Sequence, residues 1–177
     1  AAVLRFADEL AEGPQRTSLF MQKYLPFSAD SANFHEYANA TSIHIGRELG
    51  HITVQYRIEI APESTNGQYN RERVEQLIKF CFFRIQKLDV ERRYNKHYCS
   101  FLQRFKRTEV SFSFYFRRDE IQVSLPQLIL DDLVLPDSQL DGPIEQRHPE
   151  YEMPSILGML DEAVARVAIQ QAPQPQT

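Results

Sequence analysis

The chain has 177 residues, of which 42% are hydrophobic and 25% are charged, a balance typical of one ordinary globular domain. No apolar run approaches the roughly 18 residues that a membrane-spanning helix needs, so we predict no transmembrane segment in this chain. The formal net charge of -4 argues against a uniformly basic nucleic-acid-binding protein, although it leaves room for a local basic patch.

Two cysteines, Cys81 and Cys99, are too few for a disulfide framework. Both lie in apolar helical patterns, where a free cysteine behaves as a small hydrophobic residue. We therefore expect a cytoplasmic or other reducing compartment. The chain begins at Ala1 instead of methionine, which indicates a processed product or an excised domain.

The N-terminal segment 1–26 is predicted to be helical. Apolar residues at helical spacing in 1–12 are followed by a Gly-Pro pair, which is a helix stop signal. Residues 15–26 fit a second short helix. The next stretch, 27–40, is rich in Ser, Asn, Ala and Asp, so we interpret it as a loop or a poorly formed helix.

Two segments in which apolar and polar residues alternate predict β-hairpins, at about 41–60 and 109–125. In the first, Ile52, Val54 and Tyr56 alternate with Thr53 and Gln55 after a short turn. Each hairpin has one apolar face, and that face needs a cover from another layer of secondary structure.

The segment between the hairpins predicts two central helices, at about 71–88 and 91–107, and Asn70 is a suitable N-cap for the first. Four aromatic residues of the second helix are spaced four, three and four apart, which aligns them in one narrow stripe. We interpret this stripe as core, because packing alone explains such spacing. It consists of Tyr94, Tyr98, Phe101 and Phe105.

After the second hairpin, residues 127–153 form an acidic, proline-containing stretch that we predict to be extended along the body of the protein. Residues 154–170 predict a final amphipathic helix, and 171–177 a disordered, low-complexity tail. The sequence thus favours a single α+β domain over residues 1–170. Its antiparallel sheet is built from the two hairpins and covered by the two central helices, with a helix at each end of the chain.

The charges are unevenly distributed along the chain. Ten bases and three acids lie between Arg84 and Arg118, whereas eleven acids and two bases lie from Asp119 to the end. The basic block fits three interpretations: it binds nucleic-acid phosphates, it binds an acidic protein or anionic membrane surface, or the acidic segment folds back and neutralises it. The candidate binding residues are Arg92, Arg93, Lys96, Arg104, Lys106, Arg107, Tyr115, Arg117 and Arg118, with Tyr115 beside Arg117 as an exposed aromatic–cation pair.

Phe80 and Phe83 form a second candidate site. They project away from the apolar stripe of the first central helix, on the side that should face away from the sheet. Either the N-terminal helices cover them, or they form an exposed apolar patch for a protein partner or a second copy of the chain.

We find no motif for catalysis. The sequence lacks a glycine-rich phosphate loop, a Cys-x-x-Cys pair, a His-Glu-x-x-His zinc motif and a Gly-x-Ser-x-Gly nucleophile elbow. His44 and His51 lie near the first hairpin turn, but no third ligand or acid–base group stands at motif spacing. We therefore predict no catalytic residue, metal or cofactor.

These features favour a non-enzymatic protein–protein interaction or scaffold domain that acts within a larger assembly. The expected partner is another protein or a second copy of this chain. The alternative is a nucleic-acid-binding protein that uses the basic surface of residues 84–118. An enzyme whose site is built from dispersed residues is a third possibility, since most active sites leave no contiguous motif.

Overall fold

The computed structural model describes residues 1–17, 29–60, 69–116, 121–132 and 142–170. These residues form five α-helices and five β-strands, with short 3-10 turns at Pro14–Arg16, Ser100–Arg104 and Pro149–Tyr151. The helices are α1 (Ala2–Leu10), α2 (Ala29–Ala40), α3 (Arg71–Lys96), α4 (Ile144–Arg147) and α5 (Met153–Gln170). The strands are β1 (Thr41–Gly46), β2 (His51–Ile60), β3 (Arg107–Phe116), β4 (Ile121–Ser124) and β5 (Leu128–Asp131).

The five strands form one mixed sheet with β2 and β3 at its centre. β1 pairs with β2 as an antiparallel hairpin, and β3 pairs with β4 in the same way, so both predicted hairpins are confirmed. β2 and β3 run parallel, with Val54 opposite Val110. β5 is antiparallel to the first part of β3, so β4 and β5 share one edge of the sheet.

The prediction of two central helices is wrong: residues 71–96 form one continuous helix of 26 residues. Such a helix is about 39 Å long, enough to carry the chain back along a ten-residue strand of about 33 Å. The chain therefore enters β3 at the end where β2 began, and the two strands are parallel. The α+β class holds, but the sheet is mixed and not wholly antiparallel.

The core lies between one face of the sheet and the helices. Every apolar residue of β2 that points to this face is at most 2% exposed, while Gln55, Arg57 and Glu59 on the other face are exposed. The ring of Phe112 in β3 stacks on Tyr56 at 4.8 Å between centroids and meets Phe82 of α3 edge-on at 5.6 Å. These contacts pack α3 against the centre of the sheet, so the described helices cover the predicted apolar face.

α2 corrects the interpretation of residues 27–40 as a loop or poorly formed helix. Residues 29–40 form a regular helix that leads directly into β1. Tyr37 and Ala38 are buried, and the Tyr37 ring lies 6.0 Å from Tyr56 and 5.1 Å from Phe80. Burial of this face stabilises the helix despite the weak helix propensity of its Asn and Ser residues.

The turn between β1 and β2 is held against the chain that leads into β3. Gly50 has a φ of +67°, a left-handed conformation that glycine adopts without strain. Its carbonyl oxygen accepts a hydrogen bond of 3.0 Å from the amide of Lys106. A Cβ at this position would lie 2.3 Å from the carbonyl oxygen of Arg104, so only glycine permits this close approach.

The first helix is present as α1 and the last as α5, so both terminal helices are confirmed. The prediction that residues 127–153 are extended holds only for β5 among the described residues and is wrong for 144–151, which form α4 and a 3-10 turn. Most of the predicted second helix, residues 18–26, lies outside the described residues, as does the tail 171–177.

The predicted N-cap of the long helix is confirmed. The side chain of Asn70 accepts a hydrogen bond of 2.9 Å from the amide of Arg73. We expect Asn70→Ala to lower the free energy of unfolding by about 1 kcal/mol, because an amide at the helix start loses its partner. Urea unfolding followed by circular dichroism measures this. Asn70→Asp, which keeps the acceptor, should cost much less, and equal losses for both variants would contradict the capping role.

Candidate functional site

The predicted basic surface is largely an internal ion-pair network. Arg92, expected on an exposed face, is only 1% exposed. Its Nη2 donates to Asp89 at 2.7 Å and its Nη1 to Asp132 at 2.6 Å. Further bonds reach the Thr108 hydroxyl at 3.0 Å and the carbonyl of Phe105 at 3.0 Å. The guanidinium thus joins α3 to β3 and to the residue that follows β5.

Neighbouring bases of the block also have acidic partners. Arg93 pairs with Asp89 at 3.0 Å, and Lys96 forms an ion pair with Asp132. Arg107 pairs with Asp131 at 2.7 Å across the β3–β5 ladder. Asp131 and Asp132 therefore fold back from the acidic segment onto the basic block, which is one of the three interpretations of the charge pattern.

Two predicted cations point to solvent. Arg104 and Lys106 are exposed, and neither has an ion pair with any described residue. The Arg104 guanidinium lies 4.9 Å from the centre of the exposed Phe101 ring. This short stretch after α3 therefore presents positive charge that is not neutralised within the described part of the chain.

The predicted Tyr115–Arg117 pair cannot be placed, because Arg117 and Arg118 lie outside the described residues. The structure brings a different cation to Tyr115. The guanidinium of Arg57, on the neighbouring strand, lies 4.8 Å from the centre of the Tyr115 ring. This contact occupies the solvent-facing side of the sheet, where no described helix packs.

Phe80 and Phe83 separate in the structure. Phe80 is half-buried and packs edge-on against Tyr37 of α2. Its cover therefore comes from residues 29–40, which were not predicted as a firm helix, and not from the predicted helices of residues 1–26. Phe83 is 60% exposed and stands on the surface.

Phe83 begins a line of exposed apolar side chains that we call the exposed strip: Phe83, Val90 and Tyr94 of α3, and Tyr98 two residues after the helix ends. Val90 and Tyr94 follow Phe83 by seven and eleven residues, a spacing that places them on one side of a helix. The Tyr94 and Tyr98 rings are 5.0 Å apart. The strip faces away from the sheet, because the opposite side of α3, with Ile78, Cys81 and Ile85, is fully buried.

The interpretation of the aromatic stripe as core is wrong for three of its four residues. Phe105 is buried, but Tyr94, Tyr98 and Phe101 are all at least 46% exposed. The error followed from the break placed in the middle of α3, since a helix restarted at residue 91 loses its phase relative to residues 71–88. The signal was present: no glycine or proline occurs between residues 68 and 125, so the helical phase of Val74, Cys81 and Ile85 could be continued.

Helix α1 lies beside the strip and exposes bases around it. Arg5 of α1 forms an ion pair with Glu91 and lies 5.1 Å from the centre of the Tyr94 ring. The Arg5 side chain is 59% exposed whereas that of Glu91 is 8% exposed. Lys87 and Glu9 form a similar pair, at 2.7 Å, in which the base is the exposed member. The carboxylates lie beneath the surface, so positive charge faces solvent along this side of the strip.

Among the described residues, the histidines and cysteines considered as catalytic or metal-binding groups form no metal-binding cluster. His44 and His51 lie on β1 and β2, and no group of three potential metal ligands occurs among the described residues. Both cysteines are free thiols, and burial raises the pKa of Cys81 well above its usual value. Burial likewise raises the pKa of Tyr37 to about 12, and nearby Glu12 adds to the shift.

Comparison with known proteins finds no matching family model, no matching curated protein and no matching solved structure. No helix in the described ranges is long and apolar enough to cross a membrane. The candidate site is therefore argued from the geometry of the exposed strip and of the charges around it.

Proposed function

We propose that this chain is a non-enzymatic protein-interaction domain and that the exposed strip is its docking surface. The observation that carries the proposal is the alignment of Phe83, Val90 and Tyr94 on the solvent side of a helix whose other side is already buried in the core. Single exposed apolar residues are ordinary, but contiguous apolar surface on a folded chain is typical of interaction sites.

The residue types of the strip also favour a protein partner. Tyrosine and phenylalanine are enriched in protein interfaces, and aromatic residues dominate the side chains that contribute most binding energy. From Phe83 to Tyr94 the strip extends about 16 Å along α3, which matches three helical turns of a partner helix. An amphipathic helix can lay its apolar side along such a line.

The exposed bases around the strip favour a partner that carries acidic residues. Arg5 and Lys87 stand above buried carboxylates at the strip, and Arg104 and Lys106, which follow it in the chain, have no ion pair among the described residues. Carboxylates along the side of a docked helix would lie next to these bases, and the attraction between opposite charges would favour binding. The proposed ligand is therefore a protein segment with an apolar face flanked by aspartate or glutamate.

A pair of designed peptides tests this proposal. Both have about 18 residues, form amphipathic helices and share one apolar face, but the polar face carries glutamate in one and lysine in the other. We expect the full chain to bind the acidic peptide at least about tenfold more tightly than the basic one. Tyr94→Ser should weaken binding of the acidic peptide by about tenfold or more, because it removes one of the aromatic contacts of the strip. Fluorescence anisotropy of the labelled peptides measures both.

Leu49→Ser provides the matched control. Leu49 is also an exposed apolar residue, but it lies in the turn between β1 and β2, so its replacement should leave the peptide affinity unchanged. Equal losses for Tyr94→Ser and Leu49→Ser would show that any exposed apolar residue suffices, and preference for the basic peptide would contradict the proposed charge of the partner.

One observation supports nucleic-acid binding as a second candidate. The exposed ring of Phe101 lies 4.9 Å from the Arg104 guanidinium, and Lys106 is exposed two residues further along the chain. A stacking ring with an adjacent cation is the means by which many proteins hold single strands. The informative variants are Arg104→Glu and Lys106→Glu. Replacement of Arg92 would not be informative, because that side chain is buried within the ion-pair network.

A further inference from the structure

Among the described strands, β1 lies at one edge of the sheet and has one unpaired side. β1 has six residues and pairs with β2 on one side, and no other described strand pairs with it. An open edge presents unpaired backbone groups that can form a ladder with another chain. Proteins usually protect such an edge with lysine, proline, a bulge or a short strand.

β1 has none of the protecting residues. Its sequence, Thr-Ser-Ile-His-Ile-Gly, contains no lysine, arginine, acid or proline, and its six residues pair with β2 without interruption. Ile45 is 45% exposed near the end of the strand. The strand therefore offers both backbone groups and an apolar side chain.

The other edge of the sheet is protected. β4 and β5 have four residues each and are separated by a break that contains Pro126. β5 ends in Asp131, whose carboxylate pairs with Arg107. The contrast between the two edges singles out β1, since the devices that block strand addition are present at one edge and missing at the other.

We propose that β1 pairs with β1 of a second copy of this chain, in an antiparallel arrangement that joins the two sheets. In such a two-fold pair each strand meets its own sequence, so a formally charged strand would repel itself. β1 has no formal charge with histidine neutral, so two copies can pair without like-charge repulsion between them. This surface is separate from the exposed strip, so the inference does not rest on the proposed function.

The pairing of two six-residue strands is a small interface, which places the dimer among weak associations. Sedimentation velocity on the full chain over a range of concentrations should therefore show a monomer that converts to a dimer as concentration rises. We expect Ile45→Lys to weaken dimerisation by about tenfold or more, because it removes an apolar contact and adds a like charge twice per dimer.

Ile129→Lys is the matched control. Ile129 is 42% exposed, lies in a strand at the other edge, and sits opposite Glu109, so this variant adds the same charge without touching β1 and should dimerise as the wild type does. A wild-type chain that stays monomeric at about 1 mM, the weak end of specific affinities, would overturn the proposal. So would equal loss of dimer in both lysine variants, or loss of dimer on Tyr94→Ser.

Hydrogen–deuterium exchange of the unmodified chain covers the case in which Ile45→Lys fails to fold. Amides of β1 should exchange more slowly at a concentration where the dimer forms than at one where it does not, because the new ladder protects them. Protection that appears elsewhere and leaves β1 unchanged would contradict the pairing.

Discussion

Replacement of Arg92 by methionine is expected to lower the free energy of unfolding by about 3–5 kcal/mol, since the buried carboxylate of Asp89 would keep only the partly exposed Arg93 as a charged partner. Asp89 is 3% exposed and would lose two hydrogen bonds from the guanidinium. The carbonyls of Phe105 and Leu130 would lose their donors as well. Methionine fills much of the space but supplies none of these bonds. Urea unfolding at neutral pH measures the loss.

Arg93→Met is the control for this prediction. Arg93 pairs with the same carboxylate, at 3.0 Å, but its side chain is partly exposed, and ion pairs near the surface contribute about 1 kcal/mol or less. A cost for Arg92→Met no greater than for Arg93→Met would contradict the role of the buried guanidinium in joining α3, β3 and β5.

Phe112→Ala is expected to cost about 3–5 kcal/mol as well, from lost apolar burial and from the cavity that remains. Phe112 is fully buried at the centre of β3. Its ring contacts Tyr56 of β2, Phe82 of α3 and Tyr151 before α5, so the cavity opens where three parts of the fold meet. Chemical unfolding of the variant measures the loss.

Tyr115→Ala tests the same strand on its other face. Tyr115 is half-buried, and its described ring contact is with Arg57 at 4.8 Å, an interaction of about 0.5–1 kcal/mol at an exposed site. We expect Phe112→Ala to be several times more destabilising than Tyr115→Ala. Similar losses would mean that the core does not lie on the face of the sheet that α3 covers.

The sequence predicted the hairpins because their signal is local. In β2, five apolar residues alternate with polar ones, and a period of two is incompatible with a helix. The same alternation continues in β3, where Phe112 and Phe114 lie on the covered face and both are buried. Pattern and burial agree here because one face of the sheet is covered and the other is open.

The direction of β3 could not be read from the hairpins, because it depends on the number of helices between them. Two helices would return the chain to the end where β2 finishes, whereas one helix takes it to the opposite end. The absence of glycine and proline from residues 68–125 was compatible with one long helix. The misplaced break near residue 90 therefore changed the predicted sheet from mixed to antiparallel.

The misplaced helix boundary near residue 90 also prevented the prediction of the exposed strip. When the phase of α3 is continued from Val74 and Ile85, Arg92 falls on the buried side and Tyr94 on the exposed side, the reverse of the prediction. Arginine is seldom fully buried unless it is paired. Its partners Thr108 and Asp132 are distant in sequence, so only the folded structure reveals that Arg92 is paired with them and can be buried.

The most direct test of the proposed docking surface is a displacement measurement on the full chain. Labelled acidic amphipathic peptide is first bound to the protein, and an unlabelled single-stranded oligonucleotide is then added while fluorescence anisotropy is recorded. We predict that the peptide binds and stays bound, because its apolar side chains cover Phe83 and Val90 as well as the aromatic rings on which bases could stack. Failure of the acidic peptide to bind, or its displacement by the oligonucleotide, would contradict a protein-interaction domain built on this strip.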